Sequence, residues 1–274
     1  MKIKYSNKKQ SKNMFITVSI ILLILLILYI IYIYYNNYKN NNVNNEYFTN
    51  EIPIVIICWN NYYFVKNFVS QLLKYDNPII ILDNHSDYPE LLDYYKEIKK
   101  ELKDRIDIRM LDKNYGHKVY ITLKDTLPNV YILSDPDLQL NDDMPKNFSE
   151  ILLKLSDKYK SYKVGVALNI EDHDKFIKCD NYTKDKNIHD WELQFWQNKI
   201  NDDEYELYYA DTDTTFCLIN NNYNKNNIRI AGNFTAEHLP WYDGYIKNNI
   251  SQKEIDHWKL NNKSSSILFT CLKL

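Results

Sequence analysis

The sequence predicts an α/β domain with a mostly parallel sheet flanked by helices, and three observations carry that expectation. Short apolar runs alternate with segments of helical spacing from Glu51 to Leu138. Each run ends abruptly in a polar cluster. The stretch 51–274 is long enough for one domain with an adequate core. Alternation of this kind specifies parallel strands covered by helices, because a parallel crossover needs a connecting element and a helix supplies it.

The first strand is Ile52 to Cys58, with Pro53 tolerated at its beginning. Tyr62 to Tyr75 has helical spacing, with Phe64, Phe68 and Leu72 on one side. Pro78 to Leu82 is a second strand, Tyr88 to Lys103 a charged amphipathic helix, and Ile106 to Met110 a third strand. Lys118 to Thr126 reads as a helix and Val130 to Leu133 as the fourth strand. In a parallel sheet the clusters Cys58-Trp59-Asn60-Asn61, Asp83-Asn84-His85-Ser86, Asn114-Tyr115-Gly116-His117 and Ser134-Asp135-Pro136-Asp137 share one edge. Ligands of open α/β sheets bind there.

The fourth cluster is the one with chemistry in it. Asp135 and Asp137 follow a buried strand on a turn favoured by Pro136, which fixes φ and offers no ladder donor. Two carboxylates so placed suit a hard divalent cation. Downstream, Tyr208 to Phe216 contains Asp211 and Asp213, and Asp213 precedes the apolar strand Phe216 to Ile219. His189-Asp190-Trp191-Glu192 competes with it, but helical spacing with Phe195 and Trp196 makes Glu192 a surface acid beside a buried aromatic stripe. Ile228 to Tyr242 reads as a strand, a Gly232 loop and then His238, Trp241 and Tyr242.

At the other end, Met14 to Tyr35 carries no charge and follows a segment with Lys2, Lys4, Lys8, Lys9 and Lys12. That is the pattern of a membrane anchor with a cytosolic N-terminus. The organisation expected is a basic tail 1–13, a transmembrane helix 14–35, an Asn-rich stem 36–50 and a folded domain 51–274 facing a lumen (Golgi- or ER-like) or the exterior. Sequons stand at Asn147, Asn181, Asn233, Asn249 and Asn262. A net charge of −2 with dispersed basic residues excludes an electrostatic nucleic-acid footprint. The 4 cysteines include no C-x-x-C pair, so zinc is not expected; Cys58 and Cys217 lie in apolar runs as buried thiols, and one pair could oxidise in a lumen.

Strand ends reading W-N-N, L-D-N-H-S, N-Y-G-H and S-D-P-D resemble nucleotide-sugar glycosyltransferases of the GT-A fold, family-2-like members in particular. The resemblance covers about residues 52 to 140. It implies base and ribose contacts at Asn60 and Asp83, an N-x-G segment at Asn114 and Gly116, and a D-x-D motif at Asp135 and Asp137. In the family that motif holds Mn²⁺ or Mg²⁺ on the diphosphate of a nucleotide-sugar donor such as a UDP-sugar. One departure is Asp83-Asn84-His85-Ser86 where the family has D-D-G-S. The resemblance also implies that His238 completes the metal shell. An inverting transfer further needs a carboxylate to take the acceptor's proton, and Asp213, with Asp211 as its rival, is the candidate. Acceptors would be a glycan, glycoprotein or glycolipid.

Two other classes compete. Haloacid-dehalogenase-type phosphatases also place D-x-D after an apolar strand, but expect Thr or Val two residues past the second Asp, where Gln139 stands. The other is a non-catalytic, membrane-tethered nucleotide-sugar-binding protein.

Overall fold

A computed structural model describes residues 25–32, 52–180, 182–261 and 271. The chain divides into a unit of residues 1–49 and a unit of residues 50–274. In the first, 25–32 are helical with exposed Leu, Ile and Tyr side chains. The rest of the expected span 14–35, the tail 1–13 and the stem 36–50 lie outside the described residues. No helix among the described residues is long and apolar enough to cross a membrane.

The second unit is built on a nine-stranded sheet of order β3-β2-β1-β4-β9-β6-β10-β8-β7. Its strands are β1 Ile54–Cys58, β2 Ile79–Asp83, β3 Ile106–Met110, β4 Val130–Ser134, β6 Lys163–Val166, β7 Lys199–Ile200, β8 Leu207–Tyr209, β9 Cys217–Asn220 and β10 Asn227–Ile230. Strands β3, β2, β1 and β4 pair in parallel, as the alternation predicts. Beyond them β9 inserts antiparallel between β4 and β6, and β8 runs antiparallel to β10 and β7. Strands β1 and β2 are buried along their whole length. That is why they read as unbroken Ile-rich runs instead of alternating ones.

Helix Tyr62–Leu72 buries Phe64, Val65, Phe68, Val69 and Leu72, a stripe at helical spacing. Helix Pro89–Leu102 starts on Pro89, buries Leu91, Tyr94, Tyr95 and Ile98, and ends with Lys99 and Lys100 in its last turn, where cations suit the helix dipole. The expected helix from Lys118 is shorter, Val119–Thr122 followed by a 3₁₀ turn at Lys124–Thr126. A second sheet, absent from the sequence expectation, pairs β5 (Leu138–Leu140) with β11 (Ala236–His238). Cys58 and Cys217 are free and buried, while Cys179 and Cys271, 92 residues apart, form a disulfide.

The C-terminal helix Gln252–Asn261 has a definite task. Asn61 at the N-cap of helix Tyr62–Leu72 makes no side-chain cap bond; instead the Tyr63 amide donates to Glu254 Oε1 at 3.1 Å. Trp258 Nε1 donates to the Asn60 carbonyl at 2.7 Å, and its ring lies parallel to Phe64. A carboxylate at a helix N-terminus is favourable, yet Glu254 is 1% exposed. Burial outweighs the amide bonds and pushes its carboxyl up from the ordinary 4.5 to about 7. The folded protein therefore prefers Glu254 protonated. The stabilisation is complete below about pH 4.5 and is lost as the pH rises through about 7, a change on the order of 3 kcal/mol. Glu254→Gln keeps an oxygen acceptor without the charge. Its thermal midpoint, relative to wild type, is expected to be equal near pH 4 and several degrees higher at pH 8; a difference independent of pH would refute this linkage.

Candidate active site

The D-x-D turn is organised by its two neighbours in the fold. The Asp135 amide donates to the Thr214 carbonyl at 2.7 Å, and Thr214 Oγ1 donates to Asp135 Oδ2. Asp137 leads straight into β5, whose register with β11 sets His238 opposite Leu138. The Leu239 amide donates to the Asp137 carbonyl at 2.9 Å, continuing the ladder. His238 Nε2 thereby lies 3.4 Å from Asp137 Oδ2. So His238 belongs to a paired strand and not to a free loop. Its ring also packs on Trp241, with centroids 4.8 Å apart.

Asp213 reaches the same cluster. Burial, followed by the charge of Asp137, holds the Asp135 carboxyl well above the ordinary carboxylate range; Thr214 and His238 oppose, and Asp213 adds to the rise. Burial pulls the His238 imidazole down, but the Asp137 charge and hydrogen bond, with Asp135 and Glu192 behind them, raise it overall. Asp211 is placed differently: it is exposed, and its Oδ1 accepts from Asn227 Nδ2 at 3.2 Å.

Two buried cations hold the 211–214 loop. Lys163 Nζ donates to the carbonyls of Thr212 at 3.1 Å and Asp213 at 3.3 Å, and Arg229 Nε to that of Asp211 at 2.8 Å. A Cβ at Gly165 would stand 2.7 Å from Thr212 Cγ2, so the loop can press onto β6 only over a glycine. Arg229 also pairs with Glu192 and lies 4.1 Å over the Phe195 ring. This corrects the expectation for Glu192, which is 2% exposed and not a surface acid. Helix Ile188–Leu193 is short enough that the salt bridge, not the aromatic stripe, decides which way Glu192 turns. Tyr182, edge-on to Trp241, stands within electrostatic reach of Glu192, Asp137 and Asp213. Sequence reasoning missed Lys163, Arg229, Thr214 and Tyr182. A lone charge inside an apolar strand, as in Ile228-Arg229-Ile230, was the available signal.

Asn60 and Asp83, expected to touch base and ribose, are both buried and hydrogen-bonded at the ends of β1 and β2. Asn60, 2% exposed, accepts at Oδ1 from the Asp87 and Tyr88 amides at 2.9 and 3.1 Å and donates from Nδ2 to Asp87 Oδ1 at 3.0 Å. Asp83 is fully buried; it accepts from the Ser86 amide at 2.6 Å and the Tyr95 hydroxyl at 2.7 Å. Both side chains help to shape the loop after β2. Asn114 and Gly116 are exposed at the end of β3's loop. Asn114 Oδ1 accepts from the Gly116 amide at 2.7 Å, and Gly116 has φ +74°, with open space where a Cβ would be. The backbone is thus accessible to a close-approaching ligand.

The donor chemistry of the cluster suits a divalent ion that accepts both oxygen and imidazole. Asp137 Oδ1 and His238 Nδ1 are buried without a hydrogen-bond partner among the described residues, which is costly unless something else satisfies them. Among the described residues, no three His, Cys, Asp or Glu side chains already converge closely enough to hold a metal. The Asp135 carboxylate is turned to Thr214, and Asp137 and His238 form the pair in contact.

Among solved structures, GalNAc-T7 with UDP, GalNAc and Mn²⁺ matches 71% of this chain and 44% of its own, at 12% identity and TM-score 0.50. Mannosyltransferase PcManGT from Pyrobaculum calidifontis, in complex with GDP-Man and Mn²⁺, matches 44% of this chain and 36% of its own, at 10% identity and TM-score 0.37. S. aureus TarS matches 43% of this chain and 22% of its own, at 14% identity and TM-score 0.33. The likeness to GalNAc-T7 is one of fold, and the fold is that of the GT-A-type glycosyltransferases. The chain spans less than half the length of each of these proteins. No family model and no curated protein matches it.

Proposed function

We propose that this protein is a metal-dependent glycosyltransferase that moves a sugar from a nucleotide-sugar donor to an acceptor hydroxyl. The observation that supports the reading is the contact of His238 with Asp137 at 3.4 Å, beside Asp135 at the C-terminal edge of β4 in a GT-A fold, with Asp213 in electrostatic reach. Asp135, Asp137 and His238 would hold the ion, and imidazole in that set favours Mn²⁺ over Mg²⁺. When bound, the ion neutralises charge on the leaving diphosphate. The chain itself does the rest. Gly116 and its neighbours admit the nucleotide at the backbone, and Trp241 and Tyr182 wall the cluster from water. Asp213, exposed yet held by Lys163 through its carbonyl, takes the acceptor's proton. Asp211 is the weaker candidate, because its carboxylate faces Asn227.

A phosphatase of the haloacid-dehalogenase type fits less well: the residue two past Asp137 is Gln139, held inside β5. The charge-free run 14–35 supports a further proposal, that the chain is anchored in a membrane with its Lys-rich tail cytosolic and residues 51–274 lumenal or outside. Asn147 and Asn249 are exposed, as glycan acceptors must be; Asn233 is exposed too but should stay bare, because a glycan five residues before His238 would crowd the proposed site.

The test is a donor panel. Full-length protein from a glycosylating host, supplied with Mn²⁺, is expected to hydrolyse or transfer from at least one of a set of UDP-, GDP- and CMP-sugars. Chelator should abolish that turnover. Silence across the whole panel, with no donor bound, would sink the enzyme reading. Glycosidase treatment of the same preparation should shift its mobility; a bare chain would count against the lumenal topology alone.

A further inference from the structure

The outer face of the β5–β11 ribbon carries a second concavity. Gln139 and Glu237 are directly opposite each other in the ribbon. The chain beyond β6 adds a third edge: Leu168 pairs with Ala236, and the Asn169 amide donates to the Ala236 carbonyl at 2.8 Å. Side chains alternate across these strands. Leu138, Leu140, Leu168 and Ala236 enter the core, while Gln139, Glu237 and Asn169 share the opposite face. With Asn141, Asp142 and Thr235 they line a cavity of about 270 Å³.

We infer that this cavity binds an uncharged sugar ring, at a site separate from the carboxylate–histidine cluster. Its lining holds no lysine, arginine or histidine, so a phosphate or carboxylate ligand would meet Asp142 and Glu237 in the wall, with Lys74 bonded to the Asp142 carbonyl and Lys175 beside Glu237 already engaged there. It holds no aromatic residue, and Leu140 and Ala236 are its only apolar members, so a lipid finds no wall. What remains is a mixed set of amides, a hydroxyl and carboxylates. A sugar hydroxyl both donates and accepts, and only a lining that offers both satisfies several hydroxyls at once.

Some of these groups are already committed and others are not. Asn141 accepts from the Asp143 amide and donates to Thr235 Oγ1 at 3.1 Å, which makes that wall rigid. Asn169 Oδ1 accepts from the Glu171 amide at 2.9 Å, while its NH₂ has no hydrogen-bond partner among the described residues. The half-buried Glu237 carboxylate likewise makes no hydrogen bond or ion pair among them. A donor–acceptor pair is therefore left open in one small cavity. Its volume lies just under the ~300–1,000 Å³ of ordinary small-molecule pockets, which fits a single ring better than an oligosaccharide. On the glycosyltransferase reading, a ring held on this face of the ribbon is a unit already present on the acceptor and not the one being transferred.

The experiment titrates full-length protein in chelator with methyl glycosides of glucose, galactose, mannose and N-acetylglucosamine, followed by saturation-transfer NMR. At least one should bind saturably, and Asn169→Ala and Glu237→Ala should each weaken it at least about 10-fold. Glu237→Gln and unchanged thermal midpoints control for folding. Asp137→Ala should leave glycoside binding intact. If no glycoside binds, or if binding survives both cavity variants, the inference is overturned. Nucleotide-sugar hydrolysis measured in parallel separates the two readings: glycoside binding without donor turnover upholds the cavity and rejects the enzyme.

Discussion

Replacing Asp137 with alanine is expected to cut Mn²⁺-dependent turnover by at least about 100-fold, the loss typical when one group stabilising transition-state charge is removed. The same substitution should leave the metal-free fold as stable as before, or slightly more so. Asp137 is the acid that faces His238 at 3.4 Å and the largest charge raising Asp135 after burial itself. Without a cation, then, it is a source of repulsion and of an unsatisfied buried oxygen. Removing it relieves both, and the loss of its pairing with His238 offsets that relief, so the net change is small. A residue kept for structure would show the opposite, a lower melting point in chelator. Mn²⁺ titration by calorimetry reads the first expectation and thermal unfolding in chelator the second. Wild-type Mn²⁺ affinity in Asp137→Ala would remove Asp137 from the metal site.

The largest stability effect should come from Arg229→Ala. Arg229 is 4% exposed, pairs with Glu192 and donates to the Asp211 carbonyl. Truncating it leaves the Glu192 carboxyl buried and unpaired, which costs about 3–5 kcal/mol. It also releases one of the two cations that hold the 211–214 loop, so any turnover depending on Asp213 should fall with it. The pair itself is a weak net contributor, since burying two charges consumes most of their attraction. Arg229→Met combined with Glu192→Leu should therefore recover much of the loss in stability while leaving the loop unclamped and turnover low. Denaturant unfolding of the two variants checks this. A loss below about 1 kcal/mol in Arg229→Ala would mean that Glu192 finds water or another partner, and the clamp would have to be abandoned.

Much of the N-terminal half of the sheet was legible in the sequence alone. Strands β1 to β4 announce themselves as apolar runs bounded by turn-formers, and their polar ends line up because parallel strands all point one way. Cys58 and Cys217 are buried thiols because their neighbours are apolar. Those are local properties, written in spacing. What the sequence could not show are contacts between residues far apart in it. Strand β9 slots antiparallel between β4 and β6, and that sheet order has no local signature. His238 meets Asp137 through the register of β5 with β11, two three-residue strands too short to give a periodicity. Asn60 and Asp83 sit where the motif puts them, but partners at Asp87, Tyr88, Ser86 and Tyr95 occupy their polar atoms. Glu254 caps a helix 191 residues earlier in the chain. Glu192 turns inward because Arg229 waits there. Composition and periodicity decide whether a residue is buried on average; which buried polar group satisfies which other one is settled only when distant strands and helices close on each other, since each must be paired with whatever the fold brings within reach.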